Sequence, residues 1–164
     1  MDGPTWGTFT VGGAWLVTHL WEHYLYTLDQ EYLKEIYPVI KGSVDFFMDF
    51  LVEHPNGKWL VTNRSNSPEN PPQAPGYKYF FDEVTGMYYF TTITYGASMD
   101  MQILTDLFGY YAKASEILGL DSDYAQEVLA ARNRLVPPQI GKDGTLQEWS
   151  EDYAELEKRH RHFS

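Results

Sequence analysis

GGAWLVTHLWEHYLYTL, at residues 12–28, is the stretch of sequence that most constrains the fold. A glycine pair opens it, and apolar residues then recur at three- and four-residue spacing, which predicts a helix from about Ala14 to Leu28. The opposite face is also rather apolar, because it carries Val17, Leu25 and Tyr26. A helix that is apolar nearly all round is buried on most sides. Such a helix is typical of the inner ring in a barrel of two concentric rings of helices.

The next segment has the pattern of an outer helix. Asp29 is a plausible N-cap for a helix that we expect to run from Gln30 to about Glu53, with an apolar face and a charged face. Pro38 lies inside this stretch and should kink or split the helix, because proline lacks the backbone N–H and crowds the preceding turn.

Two further helices are predicted after residue 96. One runs from about Ala97 or Ser98 to Leu118 and ends at Gly119, a residue typical of helix C-termini. The other, begun by Asp121, runs from about Ser122 to Leu135 and stops before a proline pair. The helices are joined in pairs, and along the chain a more apolar helix alternates with a less apolar one. This pattern predicts a mostly α fold with two layers of helices. A four-helix bundle is the competing architecture, but its loops are normally short.

Residues 54–96 are too long for an ordinary loop. They are rich in Asn, Gly, Pro and Ser, and two short β-like runs lie within them, at residues 58–62 and 88–94. A loop of this length in a compact domain is uncommon unless it is functional. We interpret it as an insertion at the mouth of the helical layers that carries short strands. A second short strand pair is expected at residues 140–141 and 145–147.

Composition excludes several classes of function. The formal net charge is −11, which disfavours nucleic acids and anionic membranes as partners. The chain has no cysteine, so disulfides and thiolate chemistry are excluded. No apolar run is long enough to span a bilayer. Aromatic residues make up 16% of the chain, and most would pack in a core while some could stack on sugar rings.

The polar run from Asn63 to Asn70 contains the best candidate for acid catalysis. Glu69 follows a predicted strand, and Pro68 restricts its approach. A carboxylic acid that protonates a glycosidic oxygen must be reachable by substrate and partly desolvated. By the local sequence alone, an ordinary solvated loop glutamate is the commoner outcome.

Other candidates could line a site. Gln147 and Glu148, next to an aromatic ring, could bond sugar hydroxyls, although by the local sequence alone a structural role is the commoner outcome. Asp100 could stabilise the helix dipole or face the mouth of the barrel. Arg161 and His162 could donate hydrogen bonds to hydroxyls or belong to a mobile charged terminus. We expect no metal, because no cysteine and no acid–His pair at helical ligand spacing converges with them. His19 and His23 form an i, i+4 pair, but the H-E-x-x-H order is absent and packing against aromatic rings is the commoner outcome.

Taken together, these segments resemble glycoside hydrolase family 95, whose members include α-L-fucosidases. The matching segments occur in the order seen in that family: Gly12-Gly13-Ala14-Trp15-Leu16, His19-Leu20-Trp21-Glu22-His23-Tyr24, Val61-Thr62-Asn63 through Ser67-Pro68-Glu69-Asn70, Ser98-Met99-Asp100-Met101-Gln102-Ile103, Leu146-Gln147-Glu148-Trp149 and His160-Arg161-His162. Each segment is weak alone, but the combination is specific and covers nearly the whole chain.

The resemblance implies a fold, a reaction and residue roles. The fold is an (α/α)6 barrel, of which residues 1–164 are a fragment without an internal boundary. The reaction is cleavage of terminal α-L-fucose, typically 1,2-linked, with inversion and without a cofactor. Glu69 matches the general acid, and Arg161 and His162 match a pair that holds the substrate. Gln147, Glu148 and Asp100 carry over as site-lining residues.

The resemblance also implies that the water-activating machinery lies outside this chain. In the family, the water is activated by asparagines that lie before the Gly12-Gly13 helix and are held by an aspartate beyond residue 164. An inverting mechanism needs both the acid and the base. We therefore expect the chain to be a piece of a longer protein, to depend on the rest of the parent chain as partner, and to be inactive alone.

Two rival interpretations remain. One is another (α/α)-barrel carbohydrate-active enzyme, such as an α-L-galactosidase or a lyase; the acidic balance argues mildly against a lyase acting on uronic acids. The other is a non-catalytic helical-repeat interaction module, which does not explain the proline-rich loop. The sequence leaves the compartment open, although the resemblance makes an extracellular or periplasmic location the expectation for the parent.

Overall fold

The chain is mostly helical in its computed structural model, which describes residues 9–67, 70–73, 80–84, 86–89 and 92–155, the side chains of 80–82, 87–89 and 155 excepted. The helices of the described part are α1 (Gly12–Thr27), α2 (Gln30–Phe50), α3 (Ser98–Leu118) and α4 (Ser122–Arg132). Short strands fill the connections: β1 (Leu51–Glu53), β2 (Leu60–Thr62), β3 (Pro72–Gln73), β4 (Phe80–Asp82), β5 (Met87–Tyr89) and β6 (Ala154–Glu155). They pair antiparallel as β1–β2, β3–β6 and β4–β5.

Helix α1 buries only one of its two apolar faces. Val17, Trp21 and Tyr24 pack inward, and the Trp21 ring stacks on Tyr110 of α3 at a centroid distance of 5.4 Å. Val17, which the sequence places with Leu25 and Tyr26, is therefore on the buried side. The rest of the helix surface is open: Leu16 is 65% exposed, and Trp15, Leu25 and Tyr26 are exposed as well. The prediction of a helix buried on most sides is therefore wrong for this chain by itself.

Helix α2 begins as predicted and ends earlier. The carboxylate of Asp29 accepts hydrogen bonds from the backbone N–H groups of Glu31 and Tyr32, which confirms it as the N-cap. The helix runs through Pro38 without being split. It stops at Phe50, so the prediction that it reaches Glu53 is wrong: β1 leaves the helix to pair with β2.

Helix α3 is the centre of the core. It packs against the other three helices, and its residues Leu104, Leu107, Phe108 and Tyr111 have no exposed surface. As predicted, it ends at Gly119, which adopts a left-handed conformation with φ 66° that glycine tolerates best.

Helix α4 begins where the sequence predicts, after Asp121, and ends earlier than predicted. Asp121 does not cap it through its side chain. Its carboxylate instead accepts hydrogen bonds from the hydroxyls of Tyr37 and Tyr111, at 3.1 and 3.4 Å. The helix ends at Arg132 and not at Leu135, because Leu135 forms a bridge with Leu60 at the start of β2.

The long insertion carries short strands, as the sequence predicts. β2, β3, β4 and β5 all lie between residues 54 and 96. The later strand pair is reduced to one antiparallel bridge, between Ile140 and Leu146. None of the described helices combines the length and apolarity that crossing a membrane requires.

Candidate active site

The polar loop after β2 is fixed to the first turn of α3 by a buried carboxylate. Asp100 is 2% exposed. Its Oδ2 accepts hydrogen bonds from Thr62 Oγ1 and Ser65 Oγ, both at 2.7 Å. The Ser65 hydroxyl oxygen in turn accepts the backbone N–H of Ala97 at 3.0 Å. The loop is thus joined to the residue that precedes the helix and to the helix itself.

Backbone hydrogen bonds hold the same loop from a second side. Ser65 and Thr94 exchange both of their backbone hydrogen bonds, at 3.0 and 2.7 Å. The N–H of Gly96 donates to the carbonyl of Thr62 at 2.9 Å. Gly96 has φ 60°, and a Cβ there would lie 2.8 Å from Val61, so this close approach requires glycine.

Glu148 is a second buried carboxylate at the same helix end. It is 7% exposed and accepts a hydrogen bond from the hydroxyl of Ser67. Its carbonyl accepts the backbone N–H of Ser98, the first residue of α3, at 2.9 Å. The next residue, Trp149, forms a bridge with Ala97 and is 2% exposed. Glu148 is therefore attached to the rigid start of α3.

Ser67 and Asn70 lie on either side of the predicted acid. The N–H of Asn70 donates to the carbonyl of Ser67 at 2.8 Å, and both residues are buried. Pro68 and Glu69 themselves lie outside the described residues.

Several buried polar atoms of this loop and of the segment at residues 147–149 have unused hydrogen-bonding capacity. In the part of the chain that the structure describes, no partner is found for the following side-chain atoms: Asn66 Nδ2, Asn70 Oδ1, Gln147 Oε1 and Trp149 Nε1. Buried polar groups in native proteins are nearly always hydrogen-bonded, so such a cluster requires a reason. Three side-chain amides and an indole N–H that offer unused donors and acceptors suit a ligand rich in hydroxyl groups.

The electrostatics of Asp100 follow from its burial. Desolvation raises the pKa of this carboxyl from 3.8 to about 6, against the opposing effect of the Ser65 and Thr62 hydroxyls, which favour the ionised form. A raised pKa means that the folded protein binds this proton more tightly than the unfolded chain does. The contribution of Asp100 to stability is therefore fully present below about pH 3.8 and is lost as the pH rises through about 6.

The free energy of unfolding of the Asp100→Asn variant should diverge from that of the wild type as the pH rises. Asparagine is neutral at every pH, and its side-chain oxygen can still accept from the two hydroxyls. We expect the stability of the variant relative to the wild type to increase from about pH 4 to about pH 7, by roughly 3 kcal/mol at most. Urea unfolding across this range measures the difference. A difference that is independent of pH would contradict the raised pKa.

The structure places the remaining sequence candidates as follows. Gln147 is half-buried and directly precedes Glu148, whose carboxylate accepts the hydrogen bond from Ser67. Glu69, Arg161 and His162 lie outside the described residues, so their roles stay predictions. His19 and His23 are exposed, and among the described residues no group of three or more His, Cys, Asp and Glu could hold a metal ion.

Sequence reasoning missed the hydroxyl and amide residues that build the loop. Thr62, Ser65, Asn66 and Ser67 are buried polar residues with structural partners or unused capacity. The available signal was the run of polar residues directly after the apolar strand residues Leu60 and Val61, which indicated a loop but not that the loop is buried.

Comparison with known proteins gives the class of the protein. The model of the "Glycosyl hydrolase family 95 catalytic domain" matches residues 1–164. It is 40% identical to "Alpha-L-fucosidase 2" of Arabidopsis thaliana over 161 residues, which are 97% of this chain and 18% of that protein. It is 27% identical to "Probable alpha-fucosidase A" of Aspergillus niger over 168 residues, 99% of this chain and 19% of that protein.

The chain belongs to glycosyl hydrolase family 95. The resemblance indicated by the sequence motifs is therefore confirmed, and the mostly helical fold is that of a partial helical barrel. The chain spans about a fifth of the length of the two relatives.

Proposed function

We propose that the protein containing this chain is an inverting α-L-fucosidase that removes terminal 1,2-linked fucose from glycans. Residues 1–164 would form part of one (α/α)6-barrel catalytic domain. Both relatives carry fucosidase names, which supports the substrate class. The observation that carries the proposal is the frame around Glu69: its flanking residues Ser67 and Asn70 are buried and joined to each other, and Ser67 is held by a buried carboxylate.

Glu69 would protonate the oxygen that leaves the sugar. A general acid at neutral pH needs a pKa raised by partial desolvation, together with a fixed position beside the leaving group. Ser67 and Asn70 are at most 4% exposed, so the described residues on both sides of the pair Pro68-Glu69 are removed from water. This burial supports the role of general acid over that of an ordinary loop glutamate.

The sugar would be held by polar side chains around the same loop. Arg161 and His162 would donate hydrogen bonds to its hydroxyls. Gln147 would line the site, because its Oε1 is buried and has no partner among the described residues, and a sugar hydroxyl could donate to it. No step in this scheme uses a metal or cofactor.

The water would be activated by residues outside this chain. In an inverting glycosidase the acid and base lie about 6.5–9.5 Å apart, so that a water molecule fits between the base and the sugar. The base would be the asparagines and aspartate that the family supplies from other parts of the catalytic domain. This chain would thus provide the acid side of the site.

The substrate is tested on the full-length protein. We expect hydrolysis of 2′-fucosyllactose, measured as released fucose, and much slower hydrolysis of an aryl α-L-galactoside. Faster turnover of the galactoside would mean that the protein is a glycosidase but that its substrates are α-L-galactosides and not α-L-fucosides. Inactivity on both classes of glycoside would contradict the proposal.

The isolated chain should neither hydrolyse fucosides nor remain monomeric. It lacks the proposed base, and the open apolar face of α1 favours association, because exposed apolar patches promote contact between molecules. Fucose release measured beside the full-length protein tests the first expectation, and sedimentation velocity tests the second. Turnover by the isolated chain would show that the base lies within residues 1–164.

A further inference from the structure

We propose that Glu148 is a positioning residue for the general acid: its carboxylate holds the Ser67 hydroxyl, and Ser67 fixes the backbone that presents Glu69. The inference rests on the proposed role of Glu69. It replaces the expectation that Glu148 itself lines the sugar site.

The first step of the argument is the short chain between Ser67 and Glu69. Two residues span at most about 7 Å, so the position of Ser67 limits where Glu69 can lie. Ser67 is held twice, since its hydroxyl donates to Glu148 and its carbonyl accepts the N–H of Asn70 at 2.8 Å. Asn70 is 1% exposed. The chain is therefore fixed on both sides of the pair Pro68-Glu69.

The second step is the rigidity of Glu148. Its carbonyl accepts from the N–H of Ser98 at 2.9 Å, at the N-terminal end of α3, and the next residue is the buried Trp149. Helix α3 forms the core of the chain, so this end is a firm support. A catalytic group must be held within about 1 Å of its productive position, and supporting hydrogen bonds provide that precision.

The third step is burial. Glu148 is 7% exposed, and its carboxylate is already engaged by a hydroxyl of the same chain. A buried carboxylate is costly unless it is hydrogen-bonded, so its use as the acceptor for Ser67 accounts for its presence. Asp100 performs the equivalent task for the earlier part of the loop, through Thr62 and Ser65.

The test uses the dependence of the rate on the leaving group. Four variants of the full-length protein are made: Glu148→Ala, Ser67→Ala, the double variant that combines these two changes, and Glu148→Gln. Each is assayed with 2′-fucosyllactose, whose sugar leaving group needs protonation, and with 4-nitrophenyl α-L-fucoside, whose leaving group needs little. A misplaced acid should therefore slow the first substrate far more than the second.

The expected result has three parts. On 2′-fucosyllactose, each alanine variant loses about 100-fold in kcat, and its KM stays within about threefold of the wild type. The loss in kcat on the aryl fucoside is at least about tenfold smaller than the loss on 2′-fucosyllactose. The double variant is no slower than either single variant, because both remove one interaction. Glu148→Gln keeps most of the rate, since its side-chain oxygen can still accept from Ser67.

Ser115→Ala is the matched control. Ser115 is also buried and donates its hydroxyl, to the carbonyl of Leu120, but it lies near the other end of α3, roughly 25 Å from Ser98 by the helical rise. It loses a buried serine hydrogen bond without touching the loop, so kcat on both substrates should be nearly unchanged.

Three outcomes would overturn the inference. Equal losses on both substrates would make the pair merely structural. A loss confined to KM would make Glu148 a substrate contact. Additive losses in the double variant would make Ser67 and Glu148 independent. If the wild type is inactive on both fucosides, or Glu69→Gln is fully active, the proposed function fails and the inference fails with it; in the first three outcomes the proposed function stands.

Discussion

Glu69→Gln in the full-length protein should lower kcat for 2′-fucosyllactose by about 10²–10⁴-fold while KM changes little. Glutamine keeps the shape of the side chain and removes the proton that the leaving oxygen needs. Steady-state rates give the loss, and calorimetric titration of the variant with the intact substrate shows whether binding is retained.

Glu83→Gln is the control for this experiment. Glu83 is an exposed glutamate in the same long insertion, within the turn between β4 and β5, so the same substitution there should leave the rate unchanged. If Glu69→Gln were as active as Glu83→Gln, Glu69 would be an ordinary loop residue and the acid would have to be sought elsewhere.

Trp149→Ala should produce the largest loss of stability in the chain. Trp149 is the largest fully buried side chain among the described residues, and it lies where the segment of Glu148 meets the start of α3. Truncating a buried tryptophan leaves a cavity and typically costs about 3–5 kcal/mol. Urea unfolding followed by circular dichroism measures this loss, and the activity should fall with it because Glu148 loses its support.

Two other tryptophan variants serve as controls for the loss of stability in Trp149→Ala. Trp59 is only half-buried, with the Lys58 ammonium 4.0 Å from its ring centroid, so Trp59→Ala should cost clearly less. Trp149→Phe keeps most of the buried ring and removes an N–H that has no partner among the described residues, so it should also be mild. A Trp149→Ala loss no greater than that of Trp59→Ala would contradict the burial of Trp149.

The helices could be predicted because their signals are local. The apolar spacing and Gly119 fixed both ends of α3, and Asp29 fixed the start of α2. The end of α2 could not be found this way. Residues 51–53 continue an apolar pattern that a helix or a strand could use, and their pairing with Leu60–Thr62 is a contact across the intervening loop.

Asp121 illustrates a second limit. An aspartate directly before a helix predicts a cap, and its position in the sequence is correct. Its carboxylate nevertheless binds the hydroxyls of Tyr37 and Tyr111, which come from two other helices. Tertiary partners of this kind have no trace in the local pattern, so the predicted helix start is confirmed while the contacts of the Asp121 carboxylate could not be predicted.

The candidate site was only partly accessible to sequence reasoning. The run Asn63–Asn70 was recognisable as polar and rich in possible ligands. For Asp100, both a dipole role and a place at the barrel mouth were open from the sequence. Its two hydroxyl partners, from Thr62 and Ser65, become apparent only when the loop and α3 are brought together.

The stereochemistry of the product tests the central claim most directly. Proton NMR of the full-length protein with 2′-fucosyllactose, recorded before the free sugar equilibrates, shows which anomer of fucose is released first. The account predicts β-L-fucose, because water attacks the face opposite the oxygen that Glu69 protonates. Initial release of α-L-fucose, or no release at all, would contradict it.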